Sequence, residues 1–291
     1  MRRLLITGGT GYLGTELVRL APVAGWDVTA THLRTGPDAG APAGVHWCRL
    51  DVTDAGAVDA TVRQVEPDAI VHTAYVRAGA GADSVTVGGA VAVAVAARAA
   101  GARLVALSTD VVFGGEATGR YTEDDVPRPV SGYGQAKLTA ETAVARVDPR
   151  ALLVRTSLLY GGPLPGPHEE AALEVAQGER DGTFFTDEMR CPTQVGDLAV
   201  ALLELVGTDA AGPLHVAGAD AVSRYEFARL VVTAAGLPTD RLRGGLSRDA
   251  AAVRPRNCAL DCTRAGRLVT DPPRGVYEVL GVPALPAPAA P

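Results

Sequence analysis

The sequence predicts an α/β fold with a doubly wound parallel sheet and a smaller C-terminal α/β domain. Three observations predict it. Short apolar runs alternate with helical stretches through the first half of the chain, and a glycine-rich turn follows the first apolar run directly. Beyond residue 160 this regular alternation ends in a stretch rich in Gly and Pro. Strands that alternate with helices form parallel sheets, because each helix carries the chain back across the sheet in a right-handed crossover. The 291 residues suffice for one large domain with a smaller appendage.

The first half supplies the strands and helices of the predicted sheet. Strand-like runs lie at residues 4–7, 27–33, 69–74, 103–109 and 151–160. Helical stretches lie between them at residues 15–21, 57–65, 87–101 and 135–147. We expect about six strands in all, enough for a doubly wound sheet.

The second half begins with GGPLPGP at residues 161–167, a break typical of a loop. Helices are predicted near 169–178, 195–206 and 225–236, with a short strand at 213–218. We predict a first domain at 1–160 to which 193–218 return, a substrate-binding part at 161–192 and 219–281, and a disordered Pro/Ala-rich tail at 282–291.

Charge and apolar patterning narrow the classes of partner. The net charge of -6 gives no basic surface for nucleic acid, so a small molecule is expected instead. The longest apolar stretch, residues 90–97, ends at Arg98 and is too short to span a membrane. The apolar run Leu4–Ile6 is too short for a signal peptide, and the four cysteines form no CxxC pair. A cytoplasmic protein with reduced thiols and no metal is therefore expected.

A glycine turn follows the first predicted strand. In TGGTGYLG, three glycines (Gly8, Gly11 and Gly14) precede a helix that we expect to begin near Thr15. Glycine permits the tight turn and lets a pyrophosphate approach the backbone at the helix N-terminus. A plain strand-to-helix turn in a glycine-rich chain is the alternative. The position in the first strand–turn–helix unit favours a Rossmann-type dinucleotide site, with Gly8, Thr10, Gly11, Tyr12, Leu13 and Gly14 as cofactor-binding residues.

The end of the second predicted strand bears on the choice between NADPH and NADH. Enzymes that select NAD usually place an acidic residue there to bind the ribose hydroxyls. This chain has no acidic residue between Thr31 and Arg34. A cation suits the 2′-phosphate of NADP(H), so Arg34 predicts NADPH as the cofactor, the alternative being a solvated surface arginine.

The stretch YGQAK places Tyr133 and Lys137 one helical turn apart on the same face of a predicted helix. A neighbouring ammonium lowers the pKa of a tyrosine hydroxyl, which can then donate a proton to a carbonyl oxygen. Upstream, a predicted strand ends in Ser108 and Thr109, where a hydroxyl can hold a substrate carbonyl. Surface residues on an amphipathic helix, and turn-forming hydroxyls, are the plainer interpretations of each feature alone.

Together, TGGTGYLG, STDVVFGG, YGQAK and RTSLLYG resemble the extended short-chain dehydrogenase/reductase family, most closely its dTDP-4-dehydrorhamnose reductases. Further matches, TDEMRCPTQVGDLA and RPRNCALD, extend the resemblance over almost the whole chain. The resemblance implies catalysis by Thr109, Tyr133 and Lys137, with Tyr133 as proton donor and Lys137 also binding the nicotinamide ribose. It also implies further cofactor contacts at Asp51, Val52, Thr73, Ala74 and Tyr75, and substrate contacts at Val111, Arg190 and Arg256.

Departures from the family pattern lie on the expected substrate side. Thr86 stands where the family usually has asparagine, Val111 where it has tyrosine, and Gly114 where it has aspartate. An acidic stretch of the family is replaced by RAGAGAD at residues 77–83. Reductase chemistry is therefore better supported than the identity of the sugar.

The expected function is reduction, by NADPH, of the 4-keto group of a nucleotide-linked 6-deoxysugar. Four alternatives remain open: a reductase of a non-sugar ketone, an epimerase that retains NAD, a dehydratase that retains NAD, and a cofactor-binding subunit without catalysis. Asp110 followed by Val111 provides only half of the acidic pair that the family's dehydratases use. A second copy of the chain, in a homodimer, is the further partner to consider.

Overall fold

The computed structural model describes residues 2–37, 40–76, 79 and 81–284. Its strands are β1 (Arg2–Thr7), β2 (Trp26–His32), β3 (His46–Arg49), β4 (Ala69–His72), β5 (Arg103–Thr109), β6 (Leu152–Thr156), β7 (Leu159–Tyr160), β8 (Thr183–Phe185), β9 (Met189–Arg190), β10 (Thr193–Gln194), β11 (Gly212–His215), β12 (Val222–Ser223) and β13 (Arg243–Gly245). Its α-helices are α1 (Tyr12–Leu20), α2 (Ala55–Val65), α3 (Ala90–Ala100), α4 (Gly132–Val147), α5 (Pro167–Gln177), α6 (Val195–Leu205), α7 (Arg224–Ala234) and α8 (Val276–Leu280).

Seven parallel strands form the main sheet in the order β11-β6-β5-β4-β1-β2-β3. β1 pairs with both β2 and β4, so the direction in which strands are added reverses there. In open α/β sheets ligands bind outside the carboxyl ends of the strands at such a reversal. The predicted α/β fold with a doubly wound parallel sheet is confirmed.

Apolar residues cover both faces of the sheet because side chains alternate along a strand. Leu4 and Ile6 of β1 face one layer, which contains α1 and α6. Leu5 faces the other layer, which contains α2, α3 and α4. Strands covered on both faces are largely apolar, as the fully buried β4 shows with Ala69, Ile70 and Val71 before its last residue, His72.

The structure corrects some predicted boundaries. Gly11, in extended conformation, caps α1, so the helix begins at Tyr12 rather than near Thr15. The predicted strand 151–160 breaks between β6 and β7, where Ser157 donates a hydrogen bond to Asp110. β3 has no counterpart in the prediction, because it is a short edge strand whose four residues are all partly or fully exposed and show no apolar run.

The C-terminal part has its own apolar cluster, built from α5, α7 and α8 around Tyr160 and Phe227. Three two-stranded pairs accompany it: β7 with β10, β9 with β12, and β8 with β13. In contrast, α6 lies in the same apolar layer as α1, and β11 pairs with β6 of the main sheet. The domain limits given above stay a prediction, and residues 285–291 of the predicted tail lie outside the described residues.

The described part of the chain lacks two features, a membrane-spanning helix and a cluster of metal-ligating side chains. No helix in this part of the chain has both the length and the apolar character needed to cross a membrane. Nor does this part of the chain contain a group of three or more His, Cys, Asp or Glu side chains placed to hold a metal ion.

A buried ion pair fixes α4 against the sheet. Arg155 of β6 donates to Glu141 of α4 at 3.0 Å from Nε and 2.7 Å from Nη2. The two side chains are only 3% and 6% exposed. The Ser108 hydroxyl of β5 also donates to Glu141. Removing one partner of such a pair leaves the other buried and charged without a counter-ion. The free energy of unfolding falls as a result.

Arg155→Met should therefore lower the free energy of unfolding by about 3–5 kcal/mol. Chemical denaturation followed by circular dichroism measures the loss. Arg63→Met is the matched control, because Arg63 pairs with Asp59 on an exposed helix face with its side chain 78% exposed, and should cost less than about 1 kcal/mol. Equal losses in the two variants would contradict the assigned importance of the buried pair.

Candidate active site

A cleft with a volume of about 360 Å³ opens at the carboxyl edge of the sheet. The glycine turn and the start of α1 form one wall, and the end of β5 with α4 forms the floor. The C-terminal part forms the opposite wall. The cleft therefore lies where the topology of the sheet predicts a ligand site.

The glycine turn brings backbone close to backbone. Gly8 has φ +78°, and a Cβ at Gly14 would lie 2.1 Å from the carbonyl oxygen of Gly8. The Thr73 hydroxyl donates to the Thr7 carbonyl at 2.7 Å, which ties the end of β4 to the turn. No side chain caps α1 and its first turn holds no acidic residue. These features suit a pyrophosphate at the helix N-terminus.

The predicted cofactor residues divide into two groups. Those that line the cleft are Gly11, Tyr12, Leu13, Gly14, Thr73, Tyr75, Tyr133 and Lys137. Those that do not line it are Gly8, Thr10, Arg34, Asp51, Val52 and Ala74. Arg34 is exposed on the loop after β2. The roles of both groups stay predictions.

Asp51 and Val52, expected near the adenine, are engaged within the protein. The Asp51 carboxylate accepts hydrogen bonds from the Thr53 amide at 2.9 Å and hydroxyl at 2.7 Å, which lower its pKa. The Val52 side chain is buried, and a Cβ at Gly89 would lie 2.7 Å from it. Only the exposed Asp51 side chain is placed to meet a ligand from solvent.

The start of α4 positions Tyr133. Ser131 caps the helix by accepting a hydrogen bond from the Gly134 amide at 3.1 Å. A Cβ at Gly134 would lie 2.2 Å from the carbonyl oxygen of Val111, so only glycine allows α4 to approach the end of β5 this closely. The Tyr133 ring lies 5.9 Å from the Tyr75 ring. Tyr133 is thereby held at the floor of the cleft.

Lys137 lies one turn further along α4 and is only 7% exposed. Its ammonium donates to the carbonyl oxygen of Leu107 at 2.9 Å and lies 4.9 Å from the centre of the Tyr75 ring. Burial lowers the pKa of Lys137 to about 8, although the negative charge of Glu141 opposes the shift. The group is therefore still charged at neutral pH.

Thr109 ends β5 and lines the cleft with Tyr133 and Lys137. Its hydroxyl donates to Asp110 Oδ1 at 3.2 Å. Asp110 accepts a second hydrogen bond from Ser157 at 2.6 Å and lies 3.7 Å from Arg190 Nε. Burial raises the pKa of Asp110, against the opposing effect of Arg190. The Asp110 carboxylate thus orients Thr109 and is itself held in place by Ser157 and Arg190.

Ser108, considered beside Thr109 at the end of the same strand, turns the other way. Its hydroxyl donates to the buried Glu141 on the α4 face of the sheet. Adjacent residues in a strand point to opposite faces. Ser108 also lines the cleft, but its hydroxyl is engaged by the Glu141 carboxylate of the buried ion pair, whereas Thr109 points to the other face of the sheet.

The opposite wall contains the predicted substrate residue Arg190, which is only 3% exposed. Its guanidinium donates to the carbonyl oxygens of Met189 at 2.7 Å, Arg256 at 3.0 Å and Pro255 at 2.9 Å. Val111 also lines the cleft, whereas Arg256 is exposed and does not. The substrate roles of these residues stay predictions.

Four charged or polar residues of this wall were missed by sequence reasoning: His168, Glu188, Arg224 and Arg254. Arg254 pairs with the fully buried Glu188 and lies 5.2 Å from the centre of the Phe185 ring. Arg224 lies 3.0 Å from His168 Nδ1. The only sequence signal was the motif RPRN, in which Arg254 stands two residues before the predicted Arg256.

Comparison with known proteins gives consistent matches along the chain. The family described as RmlD substrate binding domain matches residues 1–280. The dTDP-4-dehydrorhamnose reductase of Mycolicibacterium smegmatis is 31% identical over 290 residues, which cover 96% of this chain and 84% of that protein. The methionine adenosyltransferase 2 subunit beta of Rattus norvegicus is 30% identical over 281 residues, which cover 90% of this chain and 81% of that protein.

A solved structure agrees with these matches. The dTDP-4-dehydrorhamnose reductase of Bacillus anthracis in complex with NADP has a TM-score of 0.81 and 26% sequence identity, and the match covers 96% of this chain and 97% of that chain. The glycine turn, the parallel sheet and the YxxxK helix are thus accompanied by similarity along nearly the whole chain. The protein belongs to the RmlD substrate binding domain family, within the extended short-chain dehydrogenases/reductases.

Proposed function

We propose that this protein is an NADPH-dependent reductase that acts on the 4-keto group of a nucleotide-linked 6-deoxysugar. The observation that carries the proposal is the cleft itself, in which Thr109, Tyr133 and Lys137 lie with the glycine turn. The dTDP-4-dehydrorhamnose reductases of Mycolicibacterium smegmatis and Bacillus anthracis, to which this chain is similar, support the substrate class. The NADP in the second supports the cofactor. An oxidoreductase of the short-chain dehydrogenase/reductase type follows.

The residues of the cleft have distinct tasks in this reaction. NADPH bound at the glycine turn, beside Gly11 and Gly14, would supply the hydride for the carbonyl carbon. The Tyr133 hydroxyl donates its proton to the carbonyl oxygen, and the Lys137 ammonium stabilises the phenolate that results. The Thr109 hydroxyl, whose one proton goes to Asp110 in this structure, would rotate to donate to the same carbonyl oxygen and orient it.

The opposite wall suits a substrate that carries phosphates. Arg224 and Arg254 line it and are only partly exposed, so their guanidinium groups can meet an anion with little remaining solvent. Arginine binds phosphate through paired hydrogen bonds. The Arg254 guanidinium also makes a cation–π contact with the ring of Phe185. The wall therefore favours a nucleoside diphosphate sugar over an uncharged ketone.

A second candidate function is supported by one relative. The similarity to a methionine adenosyltransferase subunit favours a cofactor-binding subunit that assembles with an enzyme. The presence of Thr109, Tyr133 and Lys137 in one cleft favours catalysis instead. NAD-retaining epimerases and dehydratases and a reductase of a non-sugar ketone remain alternatives. A homodimer, a cytoplasmic location and the absence of nucleic-acid binding stay predictions.

The direct test follows loss of NADPH absorbance with a dTDP-4-keto-6-deoxysugar as substrate. We expect turnover by the wild-type protein. For Tyr133→Phe, which removes only the proton donor, kcat should be lower by about 100-fold or more. NADPH binding, measured by fluorescence, should change little. Tyr225→Phe is the control, since Tyr225 does not line the cleft. Near-normal turnover by Tyr133→Phe would overturn the assignment, and no NADPH oxidation by the wild type would favour the subunit.

The pH dependence of kcat/KM follows from the buried Lys137. Because its pKa is lowered to about 8, the ammonium loses its proton as the pH rises through that value. The neutral amine no longer stabilises the phenolate of Tyr133, so kcat/KM should fall on the alkaline side of about pH 8. A pH profile recorded with enzyme of checked stability measures this fall. A constant kcat/KM up to about pH 10 would contradict the role of the charged form.

The cofactor preference depends on Arg34. If its guanidinium binds the 2′-phosphate, Arg34→Gln should weaken NADPH binding about tenfold and leave NADH binding unchanged. Isothermal titration with the two cofactors measures both dissociation constants. Arg63→Gln, on the exposed face of α2, is a control of equal charge change. Tighter binding of NADH than NADPH by the wild type would contradict the NADPH assignment itself.

A further inference from the structure

The glycine turn is joined to the C-terminal part through the side chain of Tyr12. Its hydroxyl accepts a hydrogen bond from the Gly162 amide at 2.8 Å and donates one to Glu169 Oε2 at 3.2 Å. Tyr12 and Glu169 are 157 residues apart in the sequence. Burial and the Glu169 carboxylate raise the pKa of Tyr12. The hydroxyl is therefore protonated, and able to donate, at neutral pH.

The Glu169 carboxylate that bonds Tyr12 also binds backbone amides of the loop that precedes α5. Its Oε2 atom also accepts hydrogen bonds from the Gly161 amide at 3.1 Å and the Gly166 amide at 2.7 Å. The residue is only 9% exposed. Hydrogen bonds from amides to a buried carboxylate are among the stronger ones in proteins. One carboxylate oxygen thus holds both ends of loop 161–166 and the Tyr12 hydroxyl.

The loop rests directly on the Tyr12 ring. A Cβ at Gly162 would lie 2.9 Å from that ring, and a Cβ at Gly166 would lie 3.2 Å from it. Glycine at these positions is required by the close approach of the loop to the aromatic ring. The segment would be displaced by even one added methyl group at Gly162.

The same loop leads into the wall of the cleft opposite the glycine turn. Pro167 and His168, the first residues of α5, line the cleft, as does Tyr12 itself. Tyr12 thus faces the space where a cofactor would bind and also supports the segment that faces the substrate. No other side chain of the glycine turn has a hydrogen bond to loop 161–166 among the described residues.

We propose that Tyr12 and Glu169 are positioning residues that link the cofactor turn to the substrate-side wall. A dinucleotide on the glycine turn restricts Tyr12, and Tyr12 with Glu169 then orders loop 161–166 and the start of α5. The inference rests on the proposed function only in placing the cofactor on the glycine turn. Its consequence is that NADP+ stabilises a segment that the nucleotide sugar meets, so cofactor and substrate each strengthen the binding of the other.

Hydrogen–deuterium exchange of peptides covering residues 158–168 tests the link. The amides of Gly161, Gly162 and Gly166 report the hydrogen bonds in question. In the wild-type protein, saturating NADP+ should slow their exchange about fivefold, the effect of stabilising about one hydrogen bond. In Tyr12→Phe and Glu169→Ala, the amides should exchange faster, and NADP+ should no longer slow them.

Two further variants separate the link from general damage. Glu170→Ala changes the neighbouring exposed carboxylate in the same turn of α5 and should retain the wild-type response to NADP+. Gly162→Ala leaves Tyr12 and Glu169 intact but displaces the loop, and should lose the response. Circular dichroism confirms that each variant is folded. The proposal is overturned if NADP+ protects the loop equally in Tyr12→Phe and the wild type, or protects it in neither.

A separate measurement, of dinucleotide binding, detects failure of the proposed function. Trp47 packs against the glycine turn, at 3.0 Å from a Cβ placed on Gly9, so its fluorescence should respond to a dinucleotide there. Absence of binding by the wild type would refute the cofactor assignment. Binding without the expected change in exchange would refute only the link.

Discussion

The position of α4 against the sheet is the constraint on which the rest of the site depends. The helix is held by the buried Glu141–Arg155 pair at one point and by the close approach of Gly134 to the Val111 carbonyl at another. These two contacts lie on either side of Lys137 along the helix. Because the helix is rigid over the roughly two turns between these points, fixing it at both fixes Tyr133 and Lys137 with respect to the end of β5. The relative positions of the proposed catalytic residues are thus set by Gly134, Glu141 and Arg155.

The same arrangement explains how Lys137 keeps its charge in a buried position. The Leu107 carbonyl oxygen, the face of Tyr75 and the charge of Glu141 all favour the ammonium, while burial opposes it. His72 is buried nearby, and its pKa is lowered to about 3, so it stays neutral and adds no second positive charge. Arg155 neutralises much of Glu141. The lowered pKa of Lys137 therefore reflects its burial, which the carboxylate of Glu141, shared with Arg155, offsets only in part.

The sequence predicted well those features that depend on residues close together in the chain. Strand and helix periodicity, the glycine turn and the YxxxK spacing are all local, and each found its expected place in the fold. Partners far apart in the sequence were not predictable, because no local pattern encodes them. Arg190 illustrates this: its sequence context cannot distinguish a cation that binds substrate from one that binds three backbone carbonyls. Glu188 and Arg254, 66 residues apart, were missed for the same reason.

The two walls of the cleft come from different parts of the chain, and so their alignment requires contacts that cross between them. Asp110 supplies one, since it holds the Thr109 hydroxyl on one side and faces Arg190 on the other. Tyr12 and Glu169 supply another. Both crossings use a buried carboxylate, whose oxygens can accept from several donors at once. Substrate specificity can therefore change through the residues of the second wall while these carboxylates keep it in register with Tyr133.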